Sequence, residues 1–247
     1  MAKKILIALF VGIVSFVNSS WASTEKDPVR PRDTEFTSYS KDLYKDLNSS
    51  DLNFEVFQYA LKGYLHLVGK DELKNADYLT IIDMSLSSNS ERFFIVDLKN
   101  KKIVHQSVVA HGTNTGLEFA LNFSNRINSH KTSLGFYRTA ETYKGQHGLS
   151  LRLDGLEFSN NNARKRAIVI HSAPYTSKKF MLNNGRLGRS WGCPSLPLNN
   201  YKDIISKIKE GSALFIYHPS KTYLSKSDLI NSRPFEKYSK QAVNAIP

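Results

Sequence analysis

Cys193 is the only cysteine among 247 residues, and it lies in a compact run of glycine and polar residues, Gly188 to Pro194, with the sequence GRSWGCP. Upstream, His171 stands at the end of a short apolar run, Ala167 to Ile170. A cysteine attacks carbonyl carbon as a thiolate, and near neutral pH it needs a base to lose its proton. The pair therefore predicts nucleophilic acyl transfer, with Cys193 as the nucleophile and His171 as the base.

The turn around the cysteine predicts a second part of this chemistry. Gly192 before the cysteine and Pro194 after it indicate a turn, where a side chain is presented rather than packed into a core. The backbone N–H groups of Trp191, Gly192 and Cys193 can converge there on the oxyanion of a tetrahedral intermediate. Two alternatives stay open, namely a buried cysteine acting as a small apolar residue and a strand-end histidine with ordinary hydrogen bonds.

The sequence disfavours two other uses of cysteine and histidine. A zinc site would have only the scattered set His147, His171 and Cys193, without a CxxC or HExxH motif, so we expect no metal and no cofactor. In papain-type proteases the cysteine precedes its histidine by roughly 130 residues, whereas here the histidine comes 22 residues before the cysteine. Glycines near His147 predict a turn that is compatible with the rim of the site. We interpret His147 as a structural turn residue outside the catalytic set, with a role in binding as the alternative.

The first 22 residues have the features of a secretory signal peptide. Lys3 and Lys4 are followed by the apolar stretch Ile5 to Val17 and by a small-x-small cleavage pattern at Ser20 to Ala22. This stretch is shorter than the ~20 residues that a membrane-spanning helix needs, so we expect cleavage and no stable membrane insertion. An uncleaved N-terminal anchor is the alternative. The predicted location is extracytoplasmic and bacterial, in the periplasm, the cell wall or the medium.

The formal net charge is +12 and falls by two on loss of Lys3 and Lys4, which favours an anionic partner. The basic residues are dispersed without interleaved aromatic repeats, and an exported chain rarely meets nucleic acid. We therefore expect no nucleic acid partner and favour cell-envelope polymers rich in carboxylates or phosphates.

The elements that must position the site follow from hydrophobic periodicity. An amphipathic helix capped by Asn53 ends at Gly69, and a short helix capped by Asn199 or Asn200 follows the cysteine. Between them lie short segments rich in β-branched and aromatic residues. The predicted strands are Leu79 to Met84, Arg92 to Asp97, Lys102 to Ala110, Gly135 to Glu141, Leu149 to Leu153, Ala167 to Ile170 and Ala213 to Tyr217. Residues 111–130 and the basic segment from 172 to Arg189 are predicted loops, and the mixed polar residues after 218 carry no pattern that we interpret.

The motif around the cysteine resembles the murein L,D-transpeptidase (YkuD-like) catalytic domain family, whose signature is a histidine followed by Ser/Thr-x-Gly-Cys. The matching residues are His171-Ser172 and Gly188 to Pro194, with Gly145 to Gly148, Ser150 to Leu153 and Arg166 to His171 as surrounding pattern. The resemblance implies a mostly β (α+β) fold, a β-sandwich or mixed sheet with a helical N-terminal extension. The predicted organisation is a signal peptide over 1–22, a linker and helical extension over 23–77, a catalytic domain over 78–218 and a C-terminal tail over 219–247.

The resemblance also implies a substrate and residue roles. Cys193 would attack a peptidoglycan tetrapeptide stem after the L-centre of diaminopimelate, expel D-alanine and pass the acyl group to an amine of a neighbouring stem as a 3→3 cross-link. His171 would be the base, and the backbone carbonyl of Ser172 would orient its imidazole. Trp191 and Gly192 fall where the family places oxyanion donors.

Two departures from the family pattern leave the acceptor open. The common motif has histidine where Trp191 stands, and an arginine or asparagine shortly after the cysteine, where this chain has Pro194 and Ser195. Water as acceptor would make the protein an L,D-carboxypeptidase or amidase, and a non-catalytic wall-binding module is the alternative outside enzymes. Arg186 and Arg189 are candidates to bind a stem carboxylate, because the planar guanidinium suits bidentate pairing.

Overall fold

The structure is a computed structural model that describes residues 31–231, with side chains from residue 34 onwards. The predicted signal peptide over 1–22, most of the polar segment after it and the end of the C-terminal tail lie outside the described residues. Within residues 31–231, no helix combines the length and the apolar character that crossing a membrane demands.

Two helices, α1 (Pro31–Leu47) and α2 (Phe54–Gly69), precede the sheet. Proline suits the first turn of a helix, where its fixed φ helps and its missing N–H is not needed. Asn53 caps α2 as predicted, since its side chain accepts hydrogen bonds from the backbone N–H groups of Glu55 and Val56. The apolar face of α2 packs on the sheet and on α1, so the predicted helical extension is part of the hydrophobic core.

An eight-stranded mixed sheet forms the centre of the fold, with the strand order β3-β2-β1-β8-β4-β5-β6-β7. The strands are β1 (Tyr78–Asp83), β2 (Phe93–Asp97), β3 (Lys102–Ser107), β4 (Gly135–Gly145), β5 (Gly148–Gly155), β6 (Val169–Ser172), β7 (Ser195–Leu196) and β8 (Ala213–Tyr217). β1 pairs with β8 and β6 with β7 in parallel, and the remaining neighbours are antiparallel. The predicted mixed sheet with N-terminal helices is confirmed.

The strands next to the site differ from the predicted ones in length. β3 ends at Ser107, three residues early, and Ala110 instead forms an isolated bridge with Ser195. β4 continues to Gly145 and joins β5 in a hairpin, because Gly148 takes the positive φ of +80° that the tight connection requires. The predicted strand from Ala167 begins instead at Val169, since Ala167 is exposed with a φ of +53°.

The segment after β6 is partly helical, which corrects the prediction of an irregular basic loop. A 3₁₀ turn (Pro174–Thr176) leads into α3 (Lys178–Asn184). The Ser177 side chain caps α3 by accepting from the N–H of Phe180, and Gly185 ends it in the left-handed conformation. No residue of α3 is buried, so hydrophobic periodicity gave no signal for this helix.

After the cysteine, α4 (Tyr201–Ile208) buries three isoleucines as predicted, although the Asn200 side chain at its N-cap makes no capping bond. Two further helices, α5 (Lys221–Lys226) and α6 (Asp228–Asn231), lie in the C-terminal tail, for which we made no prediction. They are held by Glu157, a buried carboxylate that accepts hydrogen bonds from the hydroxyl groups of Tyr223 and Ser227 and from the N–H of Phe136. The tail up to residue 231 is therefore packed against the domain.

Candidate functional site

His171 is the third residue of β6, whose four residues are all buried. Its Nδ1 lies 3.0 Å from the backbone oxygen of Ser172. Because a carbonyl oxygen only accepts, Nδ1 carries the proton and Nε2 presents a lone pair. Burial is the main cause that lowers the pKa of His171; the bond to Ser172 opposes this, and His147 adds to it. The imidazole is thus a neutral, oriented base.

The turn that carries the cysteine depends on Gly192, whose φ is +118°. A Cβ at this position would lie 2.7 Å from the backbone oxygen of Lys131, so only glycine fits. Ser190 pins the turn, because its Oγ accepts from the N–H of Gly192 at 3.0 Å and donates to the backbone oxygen of Cys193 at 2.7 Å. The turn predicted from the sequence is present, and the Cys193 side chain is half-buried in it.

The thiol of Cys193 lies against the segment that leads into β6. Its Sγ is 3.8 Å from the backbone oxygen of Ala167. Burial raises the pKa of the Cys193 thiol, while the backbone N–H of Val169 and the guanidinium of Arg166 lower it. The cysteine is therefore protonated at rest near neutral pH, with a cation close by to stabilise the thiolate once it forms.

Cys193 and His171 occupy one strand-and-turn unit without a direct hydrogen bond between them. His171 Nε2 is instead 3.0 Å from the Oγ of Ser195. Ser195 begins β7 and pairs with His171 across the two parallel strands. The hydroxyl of Tyr175 lies 3.0 Å from the same Oγ. Sequence reasoning missed both hydroxyl groups at the base; the only signal for Ser195 was its place two residues after Cys193.

His147 lies on the exposed turn of the β4–β5 hairpin, as its flanking glycines predicted, but it also contacts the base. Its ring stacks on that of His171, with centroids 4.4 Å apart and planes inclined by 22°. The Nε2 of Gln146 lies 3.1 Å from His147 Nε2. The hairpin therefore covers the open face of the imidazole with a second titratable ring.

Two of the three predicted oxyanion donors are available. Within the described residues, no acceptor lies within hydrogen-bond distance of the backbone N–H groups of Trp191 and Cys193, whereas Ser190 occupies that of Gly192. The Gly192 N–H is thus not free for an oxyanion in this conformation. The Trp191 side chain is 74% exposed and stacks on His130 at 4.9 Å, so it stands at the open side of the site.

The two predicted substrate-binding arginines lie on the segment between α3 and the turn. Arg189 Nη1 donates to the backbone oxygens of Thr113 and Gly116, at 2.9 and 3.1 Å, and so anchors the long loop over residues 111–130. Arg186 Nη1 donates to the backbone oxygen of Leu187 at 2.7 Å. Their other N–H groups have no partner within residues 31–231 and are available to an anionic ligand.

The described residues around the site do not form a metal-binding cluster. In the part of the chain that the structure describes, no group of three or more His, Cys, Asp or Glu side chains is arranged to hold a metal ion. The chemistry that the arrangement can perform is that of a thiol, a neutral imidazole and free backbone donors: attack on a carbonyl with transfer of a proton.

The sequence profile of the L,D-transpeptidase catalytic domain matches residues 48–217. Comparison with curated proteins finds no match. Similar solved structures include an L,D-transpeptidase from Mycobacterium smegmatis, with 12% identity over 57% of this chain and 59% of that chain and a TM-score of 0.35. The chain thus spans less than two thirds of that structure.

Two further solved structures are similar at the same level. One is an L,D-transpeptidase from Stackebrandtia nassauensis, with 11% identity over 74% of this chain and 78% of that chain and a TM-score of 0.35. The other is the helical cell shape determining protein Pgp2 from Campylobacter jejuni, with 14% identity, 65% and 57% coverage and a TM-score of 0.36.

Proposed function

We propose, since this chain belongs to the L,D-transpeptidase catalytic domain family, that it transfers acyl groups between peptidoglycan stem peptides through Cys193. The thiolate would attack the carbonyl that follows the L-centre of diaminopimelate in a tetrapeptide stem and expel D-alanine. An amine of a neighbouring stem would then take the acyl group from the sulfur and form the 3→3 cross-link.

One observation carries this proposal. The Ser172 carbonyl fixes the His171 imidazole so that the lone pair of Nε2 faces the short segment that begins with Cys193. The base is oriented by a third group, as nucleophilic catalysis requires, and the glycine turn carries Cys193 two residues before Ser195, which contacts this base. Neither arrangement is needed for a cysteine that only fills space.

The proposed reaction begins with a proton transfer, because the resting cysteine is protonated and His171 is neutral. The thiol proton passes to His171, and the thiolate then attacks the carbonyl carbon. The N–H groups of Trp191 and Cys193 bind the oxyanion that develops, each donor being worth about 3 kcal/mol of the barrier. The imidazolium returns its proton to the departing amine of D-alanine, which leaves an acyl-enzyme on Cys193.

The location and the substrate belong together in this proposal. Peptidoglycan lies outside the cytoplasm, where the signal-peptide features of residues 1–22 would deliver the chain. The excess of Lys and Arg over Asp and Glu favours an anionic polymer. The free N–H groups of Arg186 and Arg189 suit the carboxylates of a stem peptide.

Mass spectrometry of the products tests the proposal. The purified protein is incubated with muropeptides that carry tetrapeptide stems, beside a Cys193→Ala control. A cross-linked dimer with release of D-alanine, absent from the control, is the expected result. A trimmed tripeptide alone would make the protein a carboxypeptidase. No product, with equal binding of both proteins to sacculi, would make it a wall-binding module.

A further inference from the structure

We propose that Ser195, oriented by Tyr175, is the hydrogen-bonding bridge through which the Cys193 thiol passes its proton to His171. This inference rests on the proposed function, because it concerns the same nucleophile and base. Its starting point is that Cys193 Sγ and His171 Nε2 have different partners, the backbone oxygen of Ala167 and the hydroxyl of Ser195.

The proton on His171 Nδ1 determines which atom donates in each of the hydrogen bonds that join His171, Ser195 and Tyr175. His171 Nδ1 donates to Ser172, so Nε2 of the neutral ring can only accept, and Ser195 must donate to it. A hydroxyl has one proton, so the Oγ of Ser195 accepts from Tyr175. The chain therefore runs from the phenol through the serine hydroxyl to the base, and Ser195 keeps a further lone pair to accept from a thiol.

The thiol and this hydroxyl belong to one short segment. Only the buried Pro194 separates Cys193, in the turn, from Ser195, the first residue of β7. Ser195 is completely buried and its β7 backbone is paired to β6, so the hydroxyl is held in place. The bridge requires the cysteine side chain to rotate about its Cα–Cβ bond, so that the sulfur leaves Ala167 and contacts Ser195.

The proton transfer balances without any further reactant. The S–H bond of Cys193 breaks as its proton bonds to Ser195 Oγ, and the original hydroxyl proton of Ser195 bonds to His171 Nε2. The products are a thiolate, an imidazolium and an intact serine hydroxyl. In this state Ser195 donates to the sulfur and accepts from the imidazolium, so it stabilises both charges.

A serine at position 195 suits a hydrogen-bonding bridge between Cys193 and His171. The family pattern has an arginine or asparagine shortly after the cysteine, and this chain has Ser195 there. An arginine side chain only donates hydrogen bonds, whereas a serine hydroxyl donates and accepts at one atom, as a relay requires. The departure from the family pattern therefore coincides with the contact to the base.

Other charged groups around the pair must be considered. Arg166 lowers the pKa of Cys193, and His147 lowers that of His171. A negative charge on Cys193 also raises the pKa of Tyr175, although burial is the main cause of that rise. Substitution of Ser195 leaves these three side chains in place, so their contributions are common to the proteins that are compared.

Alkylation of the thiol by iodoacetamide, followed as a function of pH, tests the bridge without any peptidoglycan. Cys193 is the only cysteine, so label in excess of that on a Cys193→Ala control reports this sulfur. We expect Ser195→Ala to react about tenfold more slowly than wild type near pH 7, because the thiolate has lost a hydrogen bond. At a pH above the pKa of the thiol in both proteins, the two rates should coincide.

Conservative and control variants separate the bridge from a structural role. Ser195→Thr keeps the hydroxyl and should recover most of the rate near pH 7, and Tyr175→Phe should slow it about threefold. Ser212→Ala removes another buried hydroxyl, one bonded to Ile208 and Thr139, and should leave the alkylation profile unchanged. Thermal melts check the fold of each variant, and Tyr175→Phe decides the test if Ser195→Ala does not fold.

Two outcomes would overturn the inference. Coincident pH profiles for wild type and Ser195→Ala would show that the hydroxyl does not assist the thiol, and equal slowing at all pH values would show a loss of access only. If wild type makes no acyl-enzyme from muropeptides but Ser195→Ala shifts the alkylation profile, the proposed function fails while the bridge stands.

Discussion

His147 stacks on His171 at a centroid distance of 4.4 Å, although one ring belongs to an exposed hairpin turn and the other to a buried strand. The contact makes the β4–β5 hairpin part of the electrostatic surroundings of the proposed base. A positive charge on His147 opposes a second positive charge on His171, and the ring also keeps water from the buried imidazole.

The first prediction concerns this stack. His147→Ala should raise the pKa of His171, because it removes both the repulsion and part of the burial that hold this pKa low. Neutral His171 is the form that accepts a proton, so the acid limb of kcat/KM should move to higher pH. NMR titration of the His171 ring measures the pKa directly. His147→Phe keeps the stacked cover without the charge and should give a smaller rise; a fall in either variant would contradict the explanation.

The second prediction concerns stability and His111, which is buried with its Nδ1 2.8 Å from Nη2 of Arg92. Burial and then Arg92 lower the pKa of His111 to about 4. The unfolded chain binds a proton at this residue below about pH 6.5, while the folded chain does not. The free energy of unfolding should therefore fall between pH 6.5 and 4, by about 3 kcal/mol from this residue.

Urea unfolding at several pH values checks this contribution. His111→Gln keeps an acceptor for Arg92 but does not titrate. The variant should be less stable than wild type near pH 7, and its stability should decline less steeply towards pH 4. The other histidines are common to both proteins and cancel in the difference. Parallel curves would rule out His111 as a source of the acid sensitivity.

The third prediction concerns the turn that holds Cys193, the proposed nucleophile. Gly192→Ala would place a side chain at a φ of +118°, and its Cβ would lie 2.7 Å from the backbone oxygen of Lys131. We expect a loss of about 3 kcal/mol in the free energy of unfolding and loss of acyl transfer. Gly185→Ala is the matched control, because its φ is +71° and no atom lies within 4 Å of the added Cβ. Gly185→Ala should lower the free energy of unfolding by about 1 kcal/mol and should leave acyl transfer intact.

The fourth prediction separates two roles of Arg166, which holds residues 124–133 through four hydrogen bonds and lies near the thiol. Arg166→Lys keeps the charge but not the planar fork, and Arg166→Met keeps neither. Both should be destabilised by a few kcal/mol. Only Arg166→Met should raise the pKa of Cys193 above its wild-type value, measured by alkylation against pH. Equal thiol reactivity in the two variants would show that the charge of residue 166 does not affect the pKa of Cys193.

The sequence predicted those elements whose signals are local. The Asn53 cap and the apolar spacing after it identified α2, and β-branched runs identified the central strands. α3 was missed, because none of its residues is buried; the Ser177 cap and the Gly185 stop were its only marks. The helices α5 and α6 are too short for a periodicity and depend on a distant partner, Glu157.

The sequence predicted which residues form the site but not which of their side chains contact one another. Cys193 and His171 were singled out by motif and spacing, and the orienting carbonyl of Ser172 was implied by the family resemblance. The contact between Ser195 and His171 depends on the register of β6 with β7, which no local pattern encodes. The stack of His147 on His171 likewise depends on how far the β4–β5 hairpin extends past the strand.

Glu157 also determines where this protein can be shortened. The homologous region ends at residue 217, yet this carboxylate takes two of its donors from residues 223 and 227. A chain cut at residue 217 would remove both hydroxyl donors and leave this carboxylate with the N–H of Phe136 in β4, the strand next to β5. The cooperative folding unit therefore extends beyond the homologous region, through the last two helices.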